Sequence, residues 1–156
     1  MNVPARRASG GARQRLRLWL RLLRASRFIE NDVRELLKVE FATTLPRFDV
    51  LAALDRHPEG LLMSELSREL EVSNGNVTGI VERLVADGLV VRTPLENDRR
   101  ATRVHLSKRG RQAFTRMARA HQSWINQIMH GFSNAETLQL IGLLDKLKLK
   151  MAEARR

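Results

Sequence analysis

Asn74, Gly75, Asn76, Thr78 and Gly79 form a run of polar and glycine residues that begins directly after Ser73. Asparagine can bridge adenine through a paired donor and acceptor, and threonine offers a methyl group to the methyl of thymine. A glycine inside a helix costs about 1 kcal/mol against alanine. Two of them there make sense where the backbone must come close to another molecule. Further on, Asp98, Arg99, Arg100 and Arg103 follow a proline, Pro94. Arginine suits phosphate oxygens and the concentrated negative potential of a narrow minor groove. The chemistry on offer is the reading of base edges and the neutralisation of phosphates. The plain alternative is an exposed polar helix and a solvated hairpin tip. The proximity of the two stretches favours nucleic acid.

The elements that must position these residues are legible around them. Val77, Ile80, Val81, Leu84 and Val85 recur at three- and four-residue steps, the period of one buried helix face. Ser73 stands where a capping residue belongs, and Gly88 where a left-handed residue ends a helix. The helix is therefore predicted to start at Asn74. Residues 89–93 are β-branched and apolar and predict a strand. Residues 102–107 alternate, with Val104 and Leu106 on one face and Arg103 and His105 on the other, and predict its partner. The tip between them spans 94–100. Met63, Leu66 and Leu70 mark a preceding helix, and Glu71, Val72 and Ser73 a turn. Helix, turn, helix, strand, basic loop and strand form the layout of a winged helix-turn-helix, whose second helix enters the major groove.

These residues resemble the MarR family of bacterial transcription regulators. The resemblance rests on Leu66-x-x-x-Leu70-x-Val72-Ser73, on Asp87-Gly88-Leu89-Val90, on Asp98-Arg99-Arg100 and on Val104-x-Leu106-Ser107-x-x-Gly110. It covers essentially the whole chain, and the Asp-x-Arg pattern followed by Leu-Ser-x-x-Gly is its specific part. It implies that Asp98 orients Arg100, which enters the minor groove, while Arg99 and Arg103 meet phosphates. The chain departs from the family at Gly79, where many relatives carry arginine. Base reading then rests on Asn74, Asn76, Thr78 and Arg83. The resemblance also implies that the first and last helices of two subunits interleave, and that small ligands sit between these helices and the winged region. Leu45-Pro-Arg-Phe-Asp-Val-Leu51 is similar to members that control the catabolism of aromatic acids. The effector it implies is an aromatic carboxylate or its coenzyme A thioester. Its expected anchors are Arg21, Arg24 and Arg27, with Trp19, Phe48 and Met117 as walls and His121 as a packed or lining residue. No cofactor is expected.

The 156 residues suit one domain, and the net charge of +11, from 28 basic and 17 acidic residues, points to a polyanionic partner. The absence of cysteine excludes disulfides, thiolate metal sites and the thiol switch of MarR-like peroxide sensors. His57, His105, His121 and His130 carry no neighbouring carboxylate at ligand spacing, so no metal site is expected. The apolar runs are too short for a membrane span. Arg17, Arg21 and Arg24 interrupt the stretch from Leu16, which rules against a signal peptide and for a cytoplasmic location.

The expected architecture is mainly α with a small β wing. Residues 1–12 read as a disordered basic arm, either a solvated tail or an extra phosphate contact, and 13–156 as a single domain. Within it, 13–43 and 108–153 are the dimerisation helices and 46–107 the winged DNA-binding region. Leu16, Trp19, Leu20, Leu23, Phe28, Val33, Leu36 and Leu37 stripe a long helix over 13–41, wider than one face needs. Pro46 starts the next helix, with Phe48, Leu51, Ala52 and Leu54 inward. Leu61 and Leu62 suit a small first strand. Ser107 caps a further helix whose inner face carries Phe114, Met117, His121 and Trp124. Ser133 and Glu136 form a capping box before Leu138, Ile141, Leu144, Leu147 and Met151. Leu140, Leu143 and Leu149 widen that last stripe. Two such helices imply a homodimer.

The function these features imply is sequence-specific DNA binding by a transcriptional regulator: a repressor that leaves a palindromic duplex operator when the anionic aromatic effector arrives. A basic architectural protein that coats DNA without sequence choice is the alternative. The Asn-bearing helix edge favours the regulator. An enzyme is disfavoured: there is no nucleophile–base pair, no Gly-rich phosphate loop after a strand and no carboxylate dyad.

Overall fold

The computed structural model describes residues 10–95 and 98–154, without the side chains of 98–100. It is mainly α with a small β wing. In chain order the elements are α1 (Gly10–Phe41), α2 (Leu45–Asp55), β1 (Leu61–Leu62), α3 (Met63–Leu70), α4 (Asn74–Ala86), β2 (Val90–Leu95), β3 (Asp98–Leu106), α5 (Lys108–Ile128) and α6 (Asn134–Glu153). Among the described residues no helix is long and apolar enough to cross a membrane.

The expected arm needs correcting at its end. Residues 1–9 lie outside the described residues, but 10–12 belong to α1. Adding a residue to an existing helix is cheap once the helix is nucleated, so even Gly10 and Gly11 are carried along. Thr44 caps α2 by accepting from the Arg47 N–H, and Pro46 sits in its first turn. The helix buries Phe48, Val50, Leu51, Ala53 and Leu54. Val50 and Ala53 join the expected set while Ala52 is only half-buried, because α2 is covered on more than one side by α3, α4 and β3.

The sheet is antiparallel in the order β1-β3-β2, with Leu61 opposite Val104 and Val90 opposite Leu106. Its strands run further into the tip than the apolar pattern predicts. Pro94 pairs with Thr102, and after a register shift Leu95 pairs with Asp98. Proline is tolerated because β2 is an edge strand.

The described residues fall into two units that part after Arg119. The first has a core of Val33 and Leu37 from α1, Leu66 from α3, Val77, Val81 and Leu84 from α4, and Val104 and Leu106 from β3, with the α2 residues between them. Gly88, at φ +71, turns the chain from α4 into the wing. Ser107 caps α5 by accepting from the Gly110 N–H at 2.9 Å. In the second unit His121 stands edge-on to the buried Trp124, with ring centroids 6.5 Å apart. The capping box of α6 is formed: Glu136 accepts from the Ser133 N–H at 2.9 Å, and Ser133 Oγ accepts from the Glu136 N–H. The Ser133 N–H, and the Ser133 hydroxyl that also donates to the carboxylate at 2.8 Å, hold the Glu136 carboxyl below its ordinary range.

Burial along the terminal helices departs from the apolar pattern. Of the α1 stripe only Val33 and Leu37 are buried, while Leu16, Trp19, Leu20 and Phe28 are exposed. No residue of α6 is buried.

Candidate nucleic-acid interface

The helix-turn-helix is built by two sharp local devices. Glu71 adopts the left-handed region at φ +54, and the Val72 N–H reaches the Ser67 carbonyl at 3.1 Å, which closes α3 and turns the chain. Ser73 then takes extended backbone angles as the first residue before α4, but its hydroxyl makes no capping bond. That differs from the capping role expected of it. The first N–H groups of α4 are thereby left for other acceptors, and a phosphate oxygen suits a helix N-terminus.

Ser73, Asn74, Gly75 and Asn76 are exposed, as is Arg83; Thr78 and Gly79 are half-buried. The Thr78 hydroxyl donates to the Asn74 carbonyl at 2.8 Å, so the proton is committed to the backbone and the methyl group remains for apolar contact. A Cβ at Gly75 or Gly79 would meet nothing within 4 Å. Packing within the chain therefore does not require either glycine, although each weakens the helix.

The wing meets this helix through β2, while β3 packs on α2 and α3. Arg103 is partly buried and donates through Nη1 to the Gly60 carbonyl at 2.7 Å, so part of its guanidinium is used to tie β3 to the chain before β1. The side chains of Asp98, Arg99 and Arg100 lie outside the described residues. Their backbone opens β3 at the tip of the hairpin.

Two features escape the sequence reading. Arg92, exposed on β2, joins Thr78, Met63 and Thr102 around a hollow of roughly 320 Å³ between the helices and the wing. Its signal was a lone charge in an apolar strand. The second is a cleft of roughly 800 Å³ that Asn76, Ile80 and Arg83 of α4 line together with Arg34, Arg47 and Asp87. Arg47 and Asp87 form an ion pair there. No sequence signal joins them.

The residues expected around an effector come from α1, α2 and α5. Phe48 is buried with its ring 5.6 Å from that of Phe114, and Met117 is buried as well. Trp19, Arg21, Arg24 and Arg27 lie on the exposed half of α1, where Arg21 and Arg24 share a small hollow with Arg17 and Leu20. His121 belongs to the second unit.

Behind the interface, Glu69 of α3 accepts from Arg56 Nη2 at 2.7 Å and faces His57 Nε2 at 2.9 Å. The hydrogen bond from Arg56, with charge from His57 and Arg56, holds the Glu69 carboxyl below its ordinary range. This knot ties the end of α2 to α3.

A family model described as the MarR family matches residues 43–101. The transcriptional activatory protein BadR of Rhodopseudomonas palustris is 30% identical over 139 residues, which cover 85% of this chain and 79% of that protein. The crystal structure of a MarR family transcriptional regulator from Silicibacter pomeroyi superposes with a TM-score of 0.78 at 31% identity, covering 92% of this chain and 99% of that one. A mutant of MarR from E. coli, crystallised with operator DNA, shares the fold with a TM-score of 0.76 at 24% identity, over 86% of this chain and 95% of its own.

Proposed function

Since the chain belongs to the MarR family of transcription regulators, we propose that it acts in the cytoplasm as a homodimeric repressor on a palindromic operator and leaves the DNA when a small aromatic carboxylate, or its coenzyme A thioester, binds. The observation that carries the DNA-reading part is the exposed N-terminal edge of α4, where Asn74 and Asn76 flank a glycine with open space beside it. Asn74, Asn76, Thr78 and Arg83 read bases, and the arginines of the wing hold the backbone and groove. The exposed apolar residues of α6 and of the first half of α1 support the dimer. Arg21 and Arg24, which share a hollow on the exposed half of α1 with Arg17 and Leu20, support an anionic effector.

Selection of bound duplexes from a random library tests this reading. The expected product is an inverted repeat with half-site centres about 10 base pairs apart, one turn of DNA. Enrichment of no motif, or of one without two-fold symmetry, overturns it. Benzoate-like acids and their thioesters added to the selected complex should release the protein. Release by none of them removes the effector assignment.

A further inference from the structure

We propose that the Arg47–Asp87 ion pair is a clasp that sets the angle of the recognition helix, so that operator affinity depends on the pair being closed. The proposal rests on the DNA-binding reading above.

Arg47 Nη2 donates to Asp87 Oδ2 across a sequence separation of 40 residues. Each partner is placed against the field of its own helix. Asp87 is the C-cap of α4, where a negative charge meets the negative end of the helix dipole. Arg47 lies in the first turn of α2, where a positive charge meets the positive end. Neither charge favours the dipole of its own helix, and the two offset each other when they are paired across α2 and α4. The Arg47 side chain is 20% exposed, so its guanidinium is largely held, whereas Asp87 is 53% exposed and reached from one side.

The pair sits at the opposite end of α4 from Asn74, Asn76 and Thr78, one turn beyond Arg83. Val77, Val81 and Leu84 bury one side of α4 along its length, and the ion pair adds a tie to α2 at its C-terminal end. At 1.5 Å per residue the helix is ~20 Å long. A tilt of about 10° about its centre would move the Asn74 end by ~1.7 Å. Hydrogen bonds to base edges tolerate less than that.

The test uses the full chain and the selected operator, with Arg47→Gln, Asp87→Asn and the double variant measured by anisotropy at fixed salt. Simple electrostatics predicts opposite signs: loss of a cation weakens binding to a polyanion and loss of an anion strengthens it. The clasp predicts that both single variants weaken operator binding by about tenfold and that the double variant is no weaker than either, the mark of two groups acting as one. Tighter or unchanged binding by Asp87→Asn overturns the proposal, as do additive losses. The charge exchange, Arg47→Asp with Asp87→Arg, keeps the net charge and keeps the test decisive if a neutral variant unfolds. It should bind the operator within about threefold of the wild type, and a folded exchange variant with the affinity of Arg47→Gln overturns the clasp. Wild-type protein that binds no duplex overturns the clasp together with the regulator reading; wild-type binding with an indifferent Asp87→Asn removes the clasp alone.

Discussion

The Cβ that Gly110 lacks would stand 1.9 Å from the carbonyl oxygen of Leu89. No side chain fits there. The same junction is tied by Ser107, whose N–H reaches the Leu89 carbonyl at 3.0 Å and whose hydroxyl donates to the Gly88 carbonyl at 2.7 Å. The Leu-Ser-x-x-Gly pattern is thus the weld between the end of α4, the start of the wing and the first turn of α5. Gly110→Ala should destabilise the fold by ~3 kcal/mol through forced displacement of the backbone, and Ser107→Ala by ~1 kcal/mol through loss of the cap. Urea unfolding measures both, and a Gly110→Ala protein as stable as wild type would contradict the contact.

Gly79→Ala should move stability and DNA binding in opposite directions. The added methyl meets no atom of the chain, and alanine is the better helix former by about 1 kcal/mol. The melting temperature should therefore rise. Operator affinity should fall, because the methyl group occupies the space through which a base edge approaches. Unchanged affinity would show that the helix backbone stays clear of DNA at this point.

Asn76→Ala should relax sequence choice without abolishing binding. A lost bidentate contact costs ~1–3 kcal/mol at one base position, and phosphate contacts persist. The measurement is affinity across single-base operator variants. A preference profile identical to the wild type's would remove Asn76 from base reading.

Arg100→Ala should weaken operator binding more than Arg7→Ala. An arginine in a narrow groove loses shape readout as well as charge, while one in a tail loses only a screened phosphate contact. Equal losses at constant ionic strength would take the groove role from the wing.

Glu69→Gln should destabilise the protein at neutral pH by about 0.5–1 kcal/mol, the value of a partly solvated ion pair. The folded-state pKa of Glu69 lies below its ordinary 4.5. Its contribution is therefore complete above that value and is lost as the pH falls through the lower, folded-state pKa. The stability gap between wild type and variant should close on acidification below about pH 4.5. A gap that is constant from pH 7 down to pH 3 would mean that the carboxylate charge is not what matters.

Much of this was legible in the chain, and each failure has its own physical cause. The start of α4 at Asn74 and the left-handed Gly88 follow from local chemistry: a short polar residue before an apolar period, and a residue without Cβ after it. The small strand at Leu61 and Leu62 was readable as a short apolar run, but its register against Val104 was not. The burial of α1 was not. Its apolar residues keep helical spacing throughout, yet spacing cannot say which of them a single chain covers, and only Val33 and Leu37 are buried. The ion pair of Arg47 with Asp87 was illegible for a sharper reason. Each residue contradicts the helix that carries it, and only a partner 40 residues away makes sense of the choice. The expected capping role of Ser73 failed in the opposite manner, since the right residue type occupies the right backbone without making the bond.

Pro94 has a consequence for crowded chains. A small antiparallel sheet with an open edge invites another strand to add to it. Proline at Pro94 leaves that edge without a donor at one rung, and the register shift that follows breaks the rungs beyond it. Molecules gathered side by side on one length of DNA would hold their wings at high local concentration, where strand-to-strand zippering is the hazard. The edge is a poor template for a neighbour's backbone.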